Sequence, residues 1–303
     1  MRIASTQYHA TMNTALQNAQ SKVGDVMQQM ASGQKLLLPS DDPITHVRLL
    51  RLSREDSALT QFRDNISALK SRLQQNESLM DGMVADMQSS RDLLVWAADG
   101  GNNSNDVAAM ADSLKALRDS LFYTSNSRDQ EGRYLFSGTL TGNQTITYNA
   151  AAAPGARYAF NGNTAAQKVV VGNDVTQTAN VTLPDMATML NQMDAMITTL
   201  QTPGVDVSNP ATHAQVAGMI DSVDASMNTI SAEIARLGGA QNTLDTLDTN
   251  HANVSLSNKQ AQLTLGQLDY GDAAVKLNGY TSALQATQKA YGKVANLSLF
   301  DVL

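Results

Sequence analysis

The side chains able to do chemistry are few and poorly spaced for it. Four histidines, His9, His46, His213 and His251, are scattered through 303 residues that contain no cysteine. Zinc needs clustered nitrogen and sulfur ligands at short spacings, so the pattern predicts solvated or helix-packing imidazoles and no metal. The adjacent Asp41 and Asp42 invite an acid–base reading. Consecutive side chains point apart, however, and an Asp directly before a proline reads as a helix cap whose oxygens accept the free amides of the first turn. Phosphate loops of the Gly-Lys-Ser/Thr kind, Gly-x-Ser-x-Gly elbows and Gly-x-Gly-x-x-Gly turns do not occur, which removes the strong nucleophile and nucleotide signatures. The chain reads as a non-enzyme with no cofactor.

Bulk properties narrow the partners. A net charge of -7 repels polyanions, and no segment gathers the Lys/Arg density that neutralises successive phosphates, so nucleic acid is not expected. No apolar run approaches the roughly 20 residues that span a bilayer, and Met1 to Ala10 lacks the layout of a secretory signal, so no membrane insertion is expected and the default location is the cytosol. The missing cysteines leave nothing to cross-link, a state compatible with being threaded unfolded.

The elements that remain are mostly helices. Met12, Leu16, Ala19, Val23, Val26 and Met30 alternate spacings of four and three, the narrow seam of a coiled coil, and Gly33 ends that helix. Pro39-Ser40-Asp41-Asp42-Pro43 then predicts a turn and a new helix start. Its seam runs through Leu59, Phe62, Ile66, Leu69, Leu73, Asn76, Met80, Met83, Met87, Ser90, Leu94 and Ala97, stopping at Gly100-Gly101. A shorter helix follows over 106–127. Between Gly138 and Pro184 the period changes to short β-like runs at 145–148, 157–160 and 168–171. Helical pattern resumes over 185–200, then from Pro210 along Val216, Ile220, Val223, Met227, Ile230, Ile234 and Leu237, with a phase change near Gly238-Gly239 and a break around 266–269. The last helix carries Leu277, Tyr280, Leu284, Thr287, Tyr291 and Val294. Terminal methionines such as Met27 and Met30 read as interface, and Met80, Met83, Met87 and Met110 as core. The polar seam residues Asn76, Ser90 and His251 have two equal readings, as register devices or as water-facing positions where the seam drifts.

Helices outside and β inside predict a mainly α fold with a small β-rich insert, in which the N- and C-terminal halves form a long antiparallel helical bundle. Three domains follow: 1–40 with 267–303 as an inner terminal coiled-coil domain, 41–138 with 185–266 as a helical bundle, and 139–184 as a small β-rich outer domain.

Three stretches resemble the flagellin superfamily. They are Ala31-Ser32-Gly33 through Ser40-Asp41-Asp42-Pro43, Asn126 through Tyr134, Phe136 and Gly138, and Leu237-Gly238-Gly239-Ala240-Gln241-Asn242. The ending Leu297-Ser298-Leu299-Phe300-Asp301-Val302-Leu303 is closer to the members that join hook to filament than to those that build the filament. The resemblance implies a flagellin-like fold, with Gly33, Ser40, Asp41, Asp42 and Pro43 as signature turn and cap, and Tyr134, Phe136 and Gly138 as entry to the outer domain. It implies an assembly interface of Met12, Leu16, Ala19, Val23, Val26, Met30, Leu277, Tyr280, Leu284, Tyr291, Val294, Leu297, Leu299 and Phe300.

The implied partners are further copies in a helical ring, the neighbouring hook-associated protein on the hook side, flagellin on the filament side, and an export chaperone at the C-terminal helix. The expected location moves to the extracellular flagellum, at the hook–filament junction, reached by export without a cleaved signal peptide. The alternatives are a divergent flagellin forming the filament itself and a secreted helical adhesin binding through its β insert.

Overall fold

The computed structural model describes residues 2–99 and 101–295. The order of elements is α1 (Arg2–Ser32), α2 (Pro43–Ala97), α3 (Ser104–Ser125), β1 (Ile146–Tyr148), β2 (Tyr158–Phe160), β3 (Lys168–Gly172), β4 (Val175–Thr178), α4 (Met186–Leu200), α5 (Pro210–Gly266) and α6 (Tyr270–Ala295). They gather into two compact units, Met1–Thr60 with Ala252–Leu303 and Gln61–His251. The sequence suggests three parts with boundaries in loops. The two units instead divide inside the long helices α2 and α5, and the β segment shares the core of the larger unit.

Local chemistry sets the helix boundaries. Asp42 Oδ1 accepts the Thr45 amide at 3.1 Å, with Pro43 in the first helical position where no amide is needed. Asn103 Oδ1 accepts the amides of Asn105 and Asp106 at 2.9 and 3.0 Å to open α3. Asn209 Oδ1 takes the Ala211 amide at 2.9 Å just before Pro210 starts the long run of α5. At the other end of α1, Gly33 turns the chain at φ +69, a left-handed conformation costly for any residue with a Cβ.

The larger unit is built on the α2 seam. Ile66, Leu69, Leu73, Met80, Met83, Met87, Leu94 and Ala97 are buried there, as the spacing predicts, while Phe62 is half-buried. Cross-helix polar contacts fix the register against α5. Arg63 Nε donates to Asp248 at 2.8 Å, Lys70 pairs with Asp245, Gln241 Nε2 donates to Glu77 at 2.6 Å, and Arg91 Nε donates to Asp224 at 2.7 Å. The α2 members stand seven, seven and fourteen residues apart, the repeat of a seam flank.

The two strand pairs are small and antiparallel. Ile146 faces Phe160 and Tyr148 faces Tyr158 in one, and Lys168 faces Thr178 in the other, with a bulge between Val170 and Gly172. The strand β4 is absent from the sequence reading, because Val175-Thr176-Gln177-Thr178 is short and polar. Asp174, at φ +57, turns the chain into it.

Asparagine amides close the outer edges of the first pair. Asn126 Oδ1 accepts the Ile146 amide at 3.0 Å and its Nδ2 donates to the Ile146 carbonyl at 3.1 Å. Asn191 of α4 treats Tyr158 the same way, at 2.8 and 2.7 Å. Ile146 and Tyr158 both send their backbone groups away from the partner strand, so each amide stands in for one residue of a missing strand.

A buried carboxylate ties this hairpin to the helices. Asp194, 1% exposed on α4, accepts from Arg118 Nη1 of α3 at 2.7 Å and from the Gly155 amide at 3.2 Å, with Arg157 Nη1 at 3.4 Å. Arg118 spends its remaining nitrogens on Asp119 at 2.7 and 3.0 Å. Burial pushes the neighbouring Tyr158 phenol up to about 12, against the opposite pull of Arg118.

Removing Asp194 strands buried guanidinium charge. Asp194→Ala is expected to destabilise the larger unit by about 3–5 kcal/mol in chemical unfolding, and Asn191→Ala by about 1–3 kcal/mol because it orphans both backbone groups of Tyr158. Asn76 is fully buried with no hydrogen-bond partner for its amide among the described residues. Asn76→Leu should therefore raise the unfolding midpoint; a lower midpoint would show that the amide is satisfied.

Candidate assembly surfaces

The signature turn in the smaller unit is a hydrogen-bonded knot. Its adjacent carboxylates split the work, pointing apart as two neighbours must. Asp41 Oδ2 accepts the amides of Leu37 and Leu38 at 3.1 and 2.9 Å, drawing the chain ahead of it into a turn. Asp42 caps α2 and also accepts the Thr45 hydroxyl at 2.6 Å. That hydroxyl, followed by the Thr45 amide, holds the Asp42 carboxyl below its ordinary range. Pro43 follows at the helix start, and Ser40 sits exposed in the turn.

This turn is stitched to the one that joins α5 and α6. The Lys35 amide donates to the Gly266 carbonyl at 2.8 Å, and the Leu268 amide donates to the Gly33 carbonyl at 3.0 Å. Gln34 and Gln267 form an antiparallel bridge between them. Tyr270, which opens α6, sends its hydroxyl to the Met30 carbonyl at 3.3 Å. The sequence motifs give no sign of this stitch, since each half looks like an ordinary helix break.

From the knot, α1 and α6 run as a pair. His9 Nδ1 lies 3.2 Å from the Tyr291 hydroxyl with the rings edge to face, and the Lys22 ammonium lies 5.7 Å from the Tyr280 ring centre. Met12, Leu16, Ala19, Val23 and Met30 are half-buried and Val26 is buried, as are Leu277, Tyr280, Leu284 and Tyr291 to the half-buried degree on α6. The structure thus brings the two terminal seams together within one chain. Val294 lies in α6, while Leu297, Leu299 and Phe300 lie outside the described residues.

Other apolar side chains of this unit stand in the open. Ile44, Val47 and Leu50 on α2, Leu256 and Leu263 on α5, and Val275 on α6 are exposed. None belongs to the seams that periodicity singles out, because they sit on the backs of the helices.

The outer-domain entry is built from turns. Tyr134 pairs with Arg128 through an isolated bridge, and Ser137 with Thr182. Phe136 is fully buried. Gly138, at φ +73, lies so close to Asn163 that a Cβ would meet its carbonyl oxygen at 2.1 Å. The polar seam positions resolve differently: Asn76 and Ser90 are buried, and His251 bonds the Val171 carbonyl at 2.8 Å while packing on Phe62.

No cluster of three or more His, Asp or Glu among the described residues has the geometry to hold a metal. No described helix is long and apolar enough to cross a membrane. A cleft of about 410 Å³ between 182–186 and 225–233 carries Asp185 and Glu233, and Arg236 pairs with Glu233 at 2.7 Å.

The sequence pattern of the bacterial flagellin N-terminal helical region matches residues 3–141. Along its whole length the chain is 26% identical to flagellar hook-associated protein 3 of Salmonella typhimurium and 24% identical to that of Escherichia coli, covering 99% of each. A solved structure described as a flagellar hook-associated protein of Vibrio parahaemolyticus is 31% identical with a TM-score of 0.67, over 74% of this chain and 99% of that one. A flagellar junction protein of Legionella pneumophila shares the fold at 14% identity and a TM-score of 0.59, over 72% of this chain and all of that one.

The knot makes two measurable demands. Gly33→Ala forces a Cβ into a left-handed residue and within 3.2 Å of the Tyr270 hydroxyl, and is expected to destabilise the smaller unit by about 1–2 kcal/mol, read as faster amide exchange at Lys35 and Leu268. A depressed carboxyl contributes stability that is present above the ordinary carboxylate range and lost as pH falls through the lowered value. Asp42 should accordingly titrate below the ordinary aspartate range by NMR, and Thr45→Val should move it back up.

Proposed function

This chain belongs to the flagellin family, and from that premise we propose that it is a structural part of the bacterial flagellum, a layer that joins hook to filament. The observation that carries the reading is the end-to-end match to hook-associated protein 3 sequences, covering all of this chain and 99% of each relative. A protein that built the filament bulk and one that joins it to the hook would share the terminal helices. The end-to-end match is to proteins named for the hook.

The physical contrast between the units supports the same reading. The larger unit buries a continuous core across α2–α5 and its hairpins. The smaller unit keeps Ile44, Val47, Leu50, Leu256, Leu263 and Val275 exposed. Burial of such side chains against neighbours yields roughly 25 cal/mol per Å², and anything that binds only the folded form stabilises it by mass action. Self-association in a ring supplies that burial, with α1 and α6 as its inner layer and the residues from Met12 to Met30 and Leu277 to Phe300 at its contacts. Flagellin covers one end of the ring and the neighbouring hook-associated protein the other. Export is through the flagellar apparatus without a cleaved signal, with a chaperone holding the amphipathic C-terminal helix until release.

Deleting the gene should give cells with complete hooks and no attached filaments in electron micrographs. Normal filaments on such cells would sink the junction reading. Leu284→Asp places a charge on the face of α6 that meets α1, and is expected to abolish attachment while the unfolding transition of the larger unit stays within about 0.5 kcal/mol of the parent.

A further inference from the structure

Two exposed faces of α2 carry opposite charges that no ion pair among the described residues neutralises. In the smaller unit, Ile44, Val47, Arg48, Leu50, Arg51 and Arg54 share one side of the helix at about 100° per residue. Ile44 is 77% exposed, Val47 65% and Leu50 43%. The three arginines are exposed and form no ion pair among the described residues, and Glu55 is the acid beside them. In the larger unit, Asp81, Ala85, Gln88, Asp92, Val95 and Trp96 share another side. Trp96 is 58% exposed and Val95 48%. Asp81 and Asp92 are exposed and unpaired among the described residues, with no cation on their face. Elsewhere on α2, Arg63, Lys70 and Arg91 reach acids of α5.

We propose that the basic face of one copy docks on the acidic face of the next copy, with Trp96 seated among Ile44, Val47 and Leu50. The inference rests on the junction reading, which places many copies side by side. Charge complementarity selects the occupant, since a like face would set arginine against arginine, and aromatic and arginine side chains are the residues that dominate protein contacts. Because the two faces differ, the contact is heterologous: each copy offers one of each, so contacts propagate from subunit to subunit and close only through the symmetry of the ring.

Charge reversal tests this in cells that lack the gene. R48E/R51E/R54E alone and D81K/D92K alone should each leave hooks bare, as in the deletion strain. Both reversals in one chain, R48E/R51E/R54E/D81K/D92K, should restore filaments, because each reversed face then meets the reversed face of the next copy. Exposed helix positions tolerate such changes, so purified variants should unfold at the parent midpoint. If a reversed variant unfolds early, R48Q/R51Q/R54Q and D81N/D92N replace the reversed sets, and each alone should thin the filament population. Filaments with either reversed set alone would overturn the contact, and so would failure of the doubly reversed chain to restore them. Filaments in the deletion strain itself would strike the junction reading.

Discussion

The seam of α2 needs α5 in one register, and the polar rungs beside it choose which. A slip of one heptad would keep apolar residues roughly opposed. It would also set Arg63 against Gln241 or Ser255, Lys70 against Gly238 or Ala252, and Arg91 against Ala217 or Ser231, losing all three ion pairs at once. Each half-exposed pair is worth only about 0.2–1 kcal/mol, so the rungs add little to stability. They remove alternatives instead, and the β hairpins depend on that choice. Asn65 Nδ2 reaches the Val170 carbonyl at 2.9 Å and His251 reaches Val171 only when α2 and α5 are aligned as they are.

The two units resolve their polar demands differently. In the larger one, buried polar groups are mostly answered locally, by Asp194 between Arg118 and Arg157 and by asparagines along the strand edges. Among the described residues the exceptions are Arg72 Nε, Thr145 Oγ1 and the Asn76 amide, the last in the middle of the seam. The smaller unit answers its backbone demands at the knot around Gly33, and both units leave apolar side chains uncovered, Leu256 and Val275 in the smaller, Trp96 and Tyr123 in the larger.

Much of this was legible in the sequence, and the legible parts share a cause. Heptad seams, proline positions and Asp or Asn caps act within a few residues, so α2, α3, α4 and α5 emerge close to their true bounds, and Asp41 and Asp42 serve as the turn and cap their neighbours suggest. What stayed hidden depends on pairing across long stretches of chain. The Asn126 and Asn191 amides look like any helix asparagine until Ile146 and Tyr158 arrive. Asp194 reads as one charge in an apolar helix, a signal that could have flagged a buried ion pair without naming Arg118. The strand β4 and the charged faces of α2 become visible only with burial, because nothing in their local spacing separates them from solvated loop or helix back.

The stitch between the Gly33 and Gly266 turns has a mechanical side. A helical pair attached through a single strand of backbone can swivel about its φ and ψ angles at almost no cost. Here two strands cross side by side, bonded to each other in both directions and braced by Tyr270, so rotating the α1/α6 pair about its attachment must shear those bonds. Torsional stiffness is what a part in a rotating shaft requires, and this doubled tether supplies it with two hydrogen bonds and one phenol.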